Sequence, residues 1–160
     1  MEFTGLLARF ADAVRANDGA GLAALFTADG VYEDGFFGPH QGAASIAGML
    51  QRFHDGGRDY WWEFVEPVCV GDTGYARWRF SYASRRPGVE GRPVLFEGIS
   101  RFAMRGGLIA HYFEVFDRGL ALAQQGYPAA GIASVAGKAA ARQNAKPENA
   151  AHLARFARGE

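Results

Sequence analysis

The sequence of 160 residues has a single cysteine, Cys69. One thiol closes no internal disulfide and excludes a cysteine-based zinc site. Beside Val68 and Val70 on an apolar run, it reads as a small buried hydrophobe. No sign of charge is in excess, since Lys+Arg and Asp+Glu both number 17. That balance gives no electrostatic case for nucleic acid or an anionic membrane as partner. No window approaches the roughly 18 consecutive apolar residues of a membrane span. The opening MEFTGLLARFADAV lacks the basic and apolar regions of a signal peptide, so a cytoplasmic setting is expected. Also missing are an internal repeat, a phosphate-binding glycine loop, clustered metal-ligand spacings and an activated serine or cysteine motif. The expectation is a domain that needs no metal and no cofactor.

What the sequence does have is a run from 73 to 117 that reads as three long strands joined by two hairpins. In the first, Ala76, Trp78, Phe80 and Tyr82 alternate with Tyr75, Arg77, Arg79 and Ser81. Successive side chains on a strand point to opposite faces, so one face is aromatic and the other basic or polar. In the second, Phe96, Gly98, Ser100 and Phe102 share a face opposite Leu95, Glu97, Ile99 and Arg101. Arg105-Gly106-Gly107 supplies a tight turn, where glycine takes the positive φ required. The third strand, 108 to 117, is apolar on both faces and carries Glu114, with Ala110, Tyr112 and Phe116 on the same side.

Ahead of this run, apolar residues at helical spacing (Phe3, Leu6, Leu7, Phe10, Val14) predict an amphipathic helix ended by Asn17-Asp18-Gly19. A short helix over 20–26, a strand over 31–36 and a helix over 43–53 follow. A strand over 60–70 is expected to bulge at Pro67, which cannot donate to a sheet ladder. Helices in front and a four-strand meander behind give an α+β class, a curved, mainly antiparallel sheet wrapped as a cone around the N-terminal helices. Residues 1–127 read as one domain. Residues 128–160 read as an Ala/Gly-rich extension with a short helix opened by Pro147.

This order, with Leu25-Phe26-Thr27-Ala28-Asp29-Gly30-Val31-Tyr32-Glu33-Asp34, Gly42, Gly106-Gly107-Leu108-Ile109, Tyr112-Phe113-Glu114-Val115-Phe116-Asp117 and Gln125-Gly126, resembles the nuclear transport factor 2-like superfamily. Within it, the SnoaL-like polyketide cyclases, relatives of ketosteroid isomerase and limonene epoxide hydrolase, are most similar. The resemblance covers about residues 3–127 and implies a cystatin-like α+β barrel enclosing a pocket. Alignment with the epoxide hydrolases puts Glu114 on their cavity aspartate, and Tyr32 and Asp34 on their water-binding Tyr-x-Asn pair. Their Arg-x-Asp pair falls on Trp78 and Phe80, which argues against their three-residue mechanism.

Glu114 in an aromatic pocket is expected to have a raised pKa, and a nearby Asp34 to split the two values so that one acts as acid and one as base. Tyr32 is expected as a hydrogen-bond donor. His40, on a loop over the mouth, reads either as a further acid–base group or as an exposed loop histidine. Asp117 reads as a helix N-cap, or as the acid–base residue in place of Glu114. Trp62, Trp78, Phe80, Tyr82, Phe96, Phe102, Tyr112 and Phe116 are expected to line the pocket. The outer face, with Arg77, Arg79, Glu97 and Arg101, is expected to form a homodimer surface.

Three functions compete. The first is an enzyme moving a proton next to a carbonyl in an apolar oxygenated substrate, by isomerisation, aldol cyclisation or dehydration. The second is a binding domain for a small apolar or aromatic ligand. The third is an assembly module whose cavity is filled by Trp78, Phe96 and Phe102.

Overall fold

Helix α1 (Phe3–Ala16) forms because its apolar residues fall on one stripe, which the rest of the chain covers: Leu6, Leu7, Phe10 and Val14 are all buried. It ends where Asn17 takes a left-handed conformation at φ 55°. Asp18 then accepts a hydrogen bond from the Gly21 N–H at 2.8 Å and caps α2 (Gly19–Ala23). The structure, a computed structural model, describes residues 2–158; Met1, Gly159 and Glu160, the outer ends of the two expected segments, lie outside the described residues.

Six strands follow: β1 (Phe26–Asp34), β2 (Gly38–Gln41), β3 (Gly57–Val70), β4 (Thr73–Ser84), β5 (Pro93–Arg105) and β6 (Leu108–Phe116), with α3 (Gly42–Gly56) between β2 and β3. Their order in the sheet is β2-β1-β6-β5-β4-β3. Only β1 and β6 run parallel; every other neighbouring pair is antiparallel. The sheet curls around α1, α2 and α3 and stays open, because β2 and β3 are unpaired edges. This is the α+β cone expected from the sequence, short of a closed barrel.

Alternation on β4 sets the inside and the outside. Ala76, Trp78 and Phe80 are buried, while Tyr75, Arg77 and Arg79 are exposed. The β5–β6 turn runs through Gly106 and Gly107 at φ 59° and 78°, as their sequence requires. On β3 the register shifts between Val65 and Val68, around Pro67. Phe10 centres the inner core, its ring 5.2 to 6.3 Å from those of Tyr32, Trp62, Phe64, Phe102 and Tyr112.

Several expectations need correction. The second helix stops at Ala23 rather than Phe26, because Phe26 already pairs with Ile109 of β6. Residues 27–30 form a bulge inside β1, which therefore starts at Phe26 rather than at 31. Strand β2 was not anticipated: Gly38-Pro39-His40-Gln41 has none of the β-branched residues that mark strands. Cys69 is exposed, not buried, because the end of β3 beyond the bulge has no element over it. The Ala-rich segment is a helix, α5 (Ala129–Ala145), joined to the cone by α4 (Arg118–Gln124) and followed by α6 (Pro147–Leu153) and α7 (Arg155–Arg158). Alanine's high helix propensity makes this possible although α5 buries no residue. No helix among the described residues is long and apolar enough to cross a membrane.

Candidate functional site

The curl leaves a cavity of about 540 Å³ between the inner sheet face, α3 and the loops after β1 and β4. Trp62, Trp78, Phe80, Tyr82, Phe96 and Phe116 form its aromatic wall. Trp78 and Phe96 therefore bound the space rather than fill it. Asp34 and Glu114 are its buried polar floor, each 5% exposed.

Asp34 ends β1 and Glu114 lies on the neighbouring β6, both with inward parity. The intervening contact depends on Gly35, whose N–H donates to Glu114 Oε1 at 3.1 Å. A Cβ there would sit 2.2 Å from the Phe116 ring, so only glycine allows this close approach. Asp34 Oδ1 accepts from the Phe36 and Phe37 N–H groups at 2.8 and 2.6 Å. Glu114 Oε2 accepts from the Tyr112 hydroxyl at 2.7 Å. Tyr112 accepts from Ser100 at 2.7 Å, and Ser100 from Trp78 Nε1 at 2.8 Å. A chain of donors thus runs from the cavity wall to Glu114.

Burial, then the negative charge of Asp34, pushes Glu114 up to about 8. Burial also raises Asp34, but the two backbone N–H groups, a hydrogen bond with Glu114 and the charge of Arg118 oppose the rise. The closeness of the two carboxyls pushes Glu114 up.

The other expected site residues separate by depth. Tyr112 supports Glu114 from behind the wall, while Phe102 packs on Phe3, Phe10 and Phe64; neither reaches the cavity. Tyr32 is fully buried beneath the floor, its ring 4.4 Å from that of Tyr112 and its hydroxyl without a hydrogen-bond partner among the described residues. Burial and the two nearby carboxyls hold that hydroxyl well above its ordinary pKa. Tyr32 does not line the cavity, because parity sets its face but not its depth in the narrowing cone. His40 is not on a mouth loop. It sits on β2 against α3, 3.2 Å from Ser45 Oγ and 3.4 Å from the Arg52 guanidinium, outside the cavity lining. Partial burial, then Arg52, lowers its pKa. Asp117 caps α4, accepting from the Leu120 N–H at 3.0 Å, and does not line the cavity.

Sequence reasoning missed Phe36, Phe37, Phe53, Tyr60, Ser84, Tyr127 and Val135 as cavity residues, and the rim arginines Arg52, Arg85 and Arg86. The Phe36-Phe37 pair flanked by glycines is the one signal that pointed there.

A curled sheet over three helices with a carboxyl-floored pocket defines the ketosteroid isomerase-like class of cone domains. Residues 7–112 match the SnoaL-like domain profile, and the chain belongs to that family, within the nuclear transport factor 2-like superfamily. No protein of curated function matches the sequence. Among solved structures, a Catenulispora acidiphila protein with a ketosteroid isomerase-like fold, in complex with trimethylamine, superposes with a TM-score of 0.70 at 21% identity. The match covers 78% of this chain and 95% of that one. A proposed SnoaL-like polyketide cyclase from Shewanella putrefaciens gives 0.66 at 15% identity, covering 77% and 95%. A limonene-epoxide-hydrolase-like enzyme from M. tuberculosis gives 0.61 at 18%, covering 75% and 81%. At such identities these likenesses establish the shared fold.

Proposed function

We propose that this chain is a cofactor-independent enzyme that binds an apolar, oxygenated ring compound and moves a proton next to its carbonyl. The observation carrying this reading is the buried pair of carboxyls, Asp34 and Glu114, at the floor of an aromatic cavity; in this reading the pair shares one proton, held by Glu114. Asp34, the ionised member, takes a proton from the carbon beside the carbonyl. Glu114 gives its proton to the carbonyl oxygen, and a neutral enol results. The pair has lost one proton and gained one, so its net charge is unchanged throughout. Return of the proton at another carbon isomerises the substrate; attack of the enol on a second carbonyl forms a ring. The aromatic walls lower the local polarity and so strengthen both partners. A cavity of about 540 Å³ suits a ligand of two or three rings.

The test is hydrogen–deuterium exchange at the α-carbon of 2-tetralone, followed by NMR in D₂O. The protein is expected to accelerate exchange, and Glu114→Gln and Asp34→Asn to lose about 10²-fold or more with the fold intact. Tetralone that binds without faster exchange would leave the cavity as a binding site and remove the catalytic reading.

We further infer a homodimer through the outer sheet face. Leu95, Ile99 and Val115 are about half exposed there, around the ion pairs Arg79–Glu63 and Arg79–Glu97 at 3.1 and 3.0 Å. A cytoplasmic setting accords with a lone, exposed Cys69 kept reduced.

A further inference from the structure

The cavity has chemically opposite ends. Its floor is acidic and buried. Its rim carries Arg52 from α3, and Arg85 and Arg86 from the loop after β4. None of the three forms an ion pair among the described residues. Arg85 Nη1 donates to the His54 carbonyl at 3.1 Å, and Arg86 Nη1 to the Gln125 carbonyl at 3.3 Å with its guanidinium 3.7 Å above the Tyr127 ring. Arg52 lies against His40 and over Phe37 at 5.7 Å. Carbonyl and ring contacts orient a guanidinium without neutralising it. Asp55 is the acidic residue at the rim, and three arginines against it leave the rim net positive.

We propose that the ligand is a small amphiphilic acid, with a ring body directed at the carboxyl pair and a carboxylate or phosphate group held at the rim by Arg52, Arg85 and Arg86. This rests on the reading of the cavity as a substrate site. An oxyanion entering first would meet the charge of Asp34 in an apolar surrounding, where like charges repel strongly. At the rim it meets guanidinium forks that suit planar carboxylates and phosphates. The two ends therefore fix one orientation, ring inward and anion outward.

Isothermal titration calorimetry with a series of ω-(2-naphthyl)alkanoates, their methyl esters and the matching alkyl phosphates tests this. At low salt the best acid or phosphate is expected to bind about fivefold more tightly than its neutral ester. The ratio should fall to near one in an Arg52→Gln/Arg85→Gln/Arg86→Gln variant, and at high salt. Ester affinity should fall less than acid affinity, and an unchanged circular dichroism spectrum shows that the variant is folded. Comparison of acid with phosphate identifies the oxyanion. Equal binding of ester and anion by the natural sequence overturns the proposal and leaves the cavity reading standing. An anion preference that survives the triple change also overturns it. If no probe binds, the cavity reading fails and this inference with it.

Discussion

Replacing Glu114 by Gln should separate the proton chemistry from the fold. Glu114 is 5% exposed and its carboxyl is pushed from 4.5 to about 8 by burial and by Asp34. A carboxyl with a raised folded-state pKa binds more protons in the native than in the unfolded chain. Its contribution to stability is therefore complete below 4.5 and is lost as pH rises through about 8. At about 1.36 kcal/mol per pH unit, the natural sequence should lose about 3–4 kcal/mol between pH 5 and pH 8 from this group. Glutamine has the same shape and no titration, so the variant should lack that slope. Asp34 is present in both proteins, so the difference between the curves reports the titration of the pair with and without the Glu114 carboxyl. The amide keeps one acceptor oxygen, but one of the donors from Gly35 and Tyr112 then faces an NH₂ group. That mismatch costs about 1 kcal/mol at every pH. Glu114→Gln should thus be slightly less stable than the natural sequence at pH 5 and more stable at pH 8, while losing α-proton exchange at both. Urea unfolding at unit pH steps measures this directly. Parallel stability curves would mean that Glu114 is ionised and solvated near neutrality, and the shared-proton mechanism would fall.

Further outcomes follow from the same geometry. Tyr112→Phe removes the hydroxyl that favours ionised Glu114, so the alkaline limb of the pH–rate profile for tetralone exchange should move upward. The Ser100 hydroxyl loses its acceptor, at about 1–2 kcal/mol in thermal or urea melts; an unmoved profile would contradict the donor chain. Gly35→Ala drives a Cβ into the Phe116 ring and should cost about 1–3 kcal/mol and at least tenfold in exchange, with a normal melt and normal rate refuting the close approach. Truncation after residue 128 takes away α5, α6 and α7, none of which has a buried residue, so the melting temperature should change little. Ligand affinity should drop, because Val135 is part of the cavity wall; unchanged affinity would show α5 to be incidental. Leu95→Glu with Ile99→Glu should convert a dimer to a monomer in sedimentation velocity, and a natural sequence that is already monomeric at about 100 μM would end the dimer proposal.

The period-two pattern of the strands made the inner face legible residue by residue. Trp78, Phe80, Phe96, Glu114 and Phe116 all fall where alternation put them. Alternation gives a face and says nothing of depth. Tyr32, Phe102 and Tyr112 share the inward side with the cavity residues, yet lie where α1 fills the cone and the space has closed, so they support the floor from behind. The rim was illegible for a different reason. Arg52 and Arg85 are 33 positions apart in the sequence, on a helix and a loop, and only the curl of the sheet brings them to one opening. His40 was misplaced because a four-residue edge strand has too little pattern to announce itself.

The asymmetry between the two carboxyls traces to what stands beside each of them. Where the epoxide hydrolase pattern has an Arg-x-Asp pair, this chain has Trp78 and Phe80. A guanidinium on that strand would stabilise ionised Glu114 and pull its pKa down toward the ordinary carboxylate range. The indole instead offers one neutral N–H, passed through Ser100 and Tyr112, which orients Glu114 without giving it a counter-charge. The nearby cation, Arg118, acts on Asp34, and its Nε donates to the Gly35 carbonyl. Both carboxyls accept two hydrogen bonds, but the Asp34 rise is also opposed by a positive charge, whereas Glu114 has burial and the charge of Asp34 against it. In the proposed mechanism, the indole in the wall where an arginine could stand, and Arg118 behind the loop after β1, are what would set the acid apart from the base.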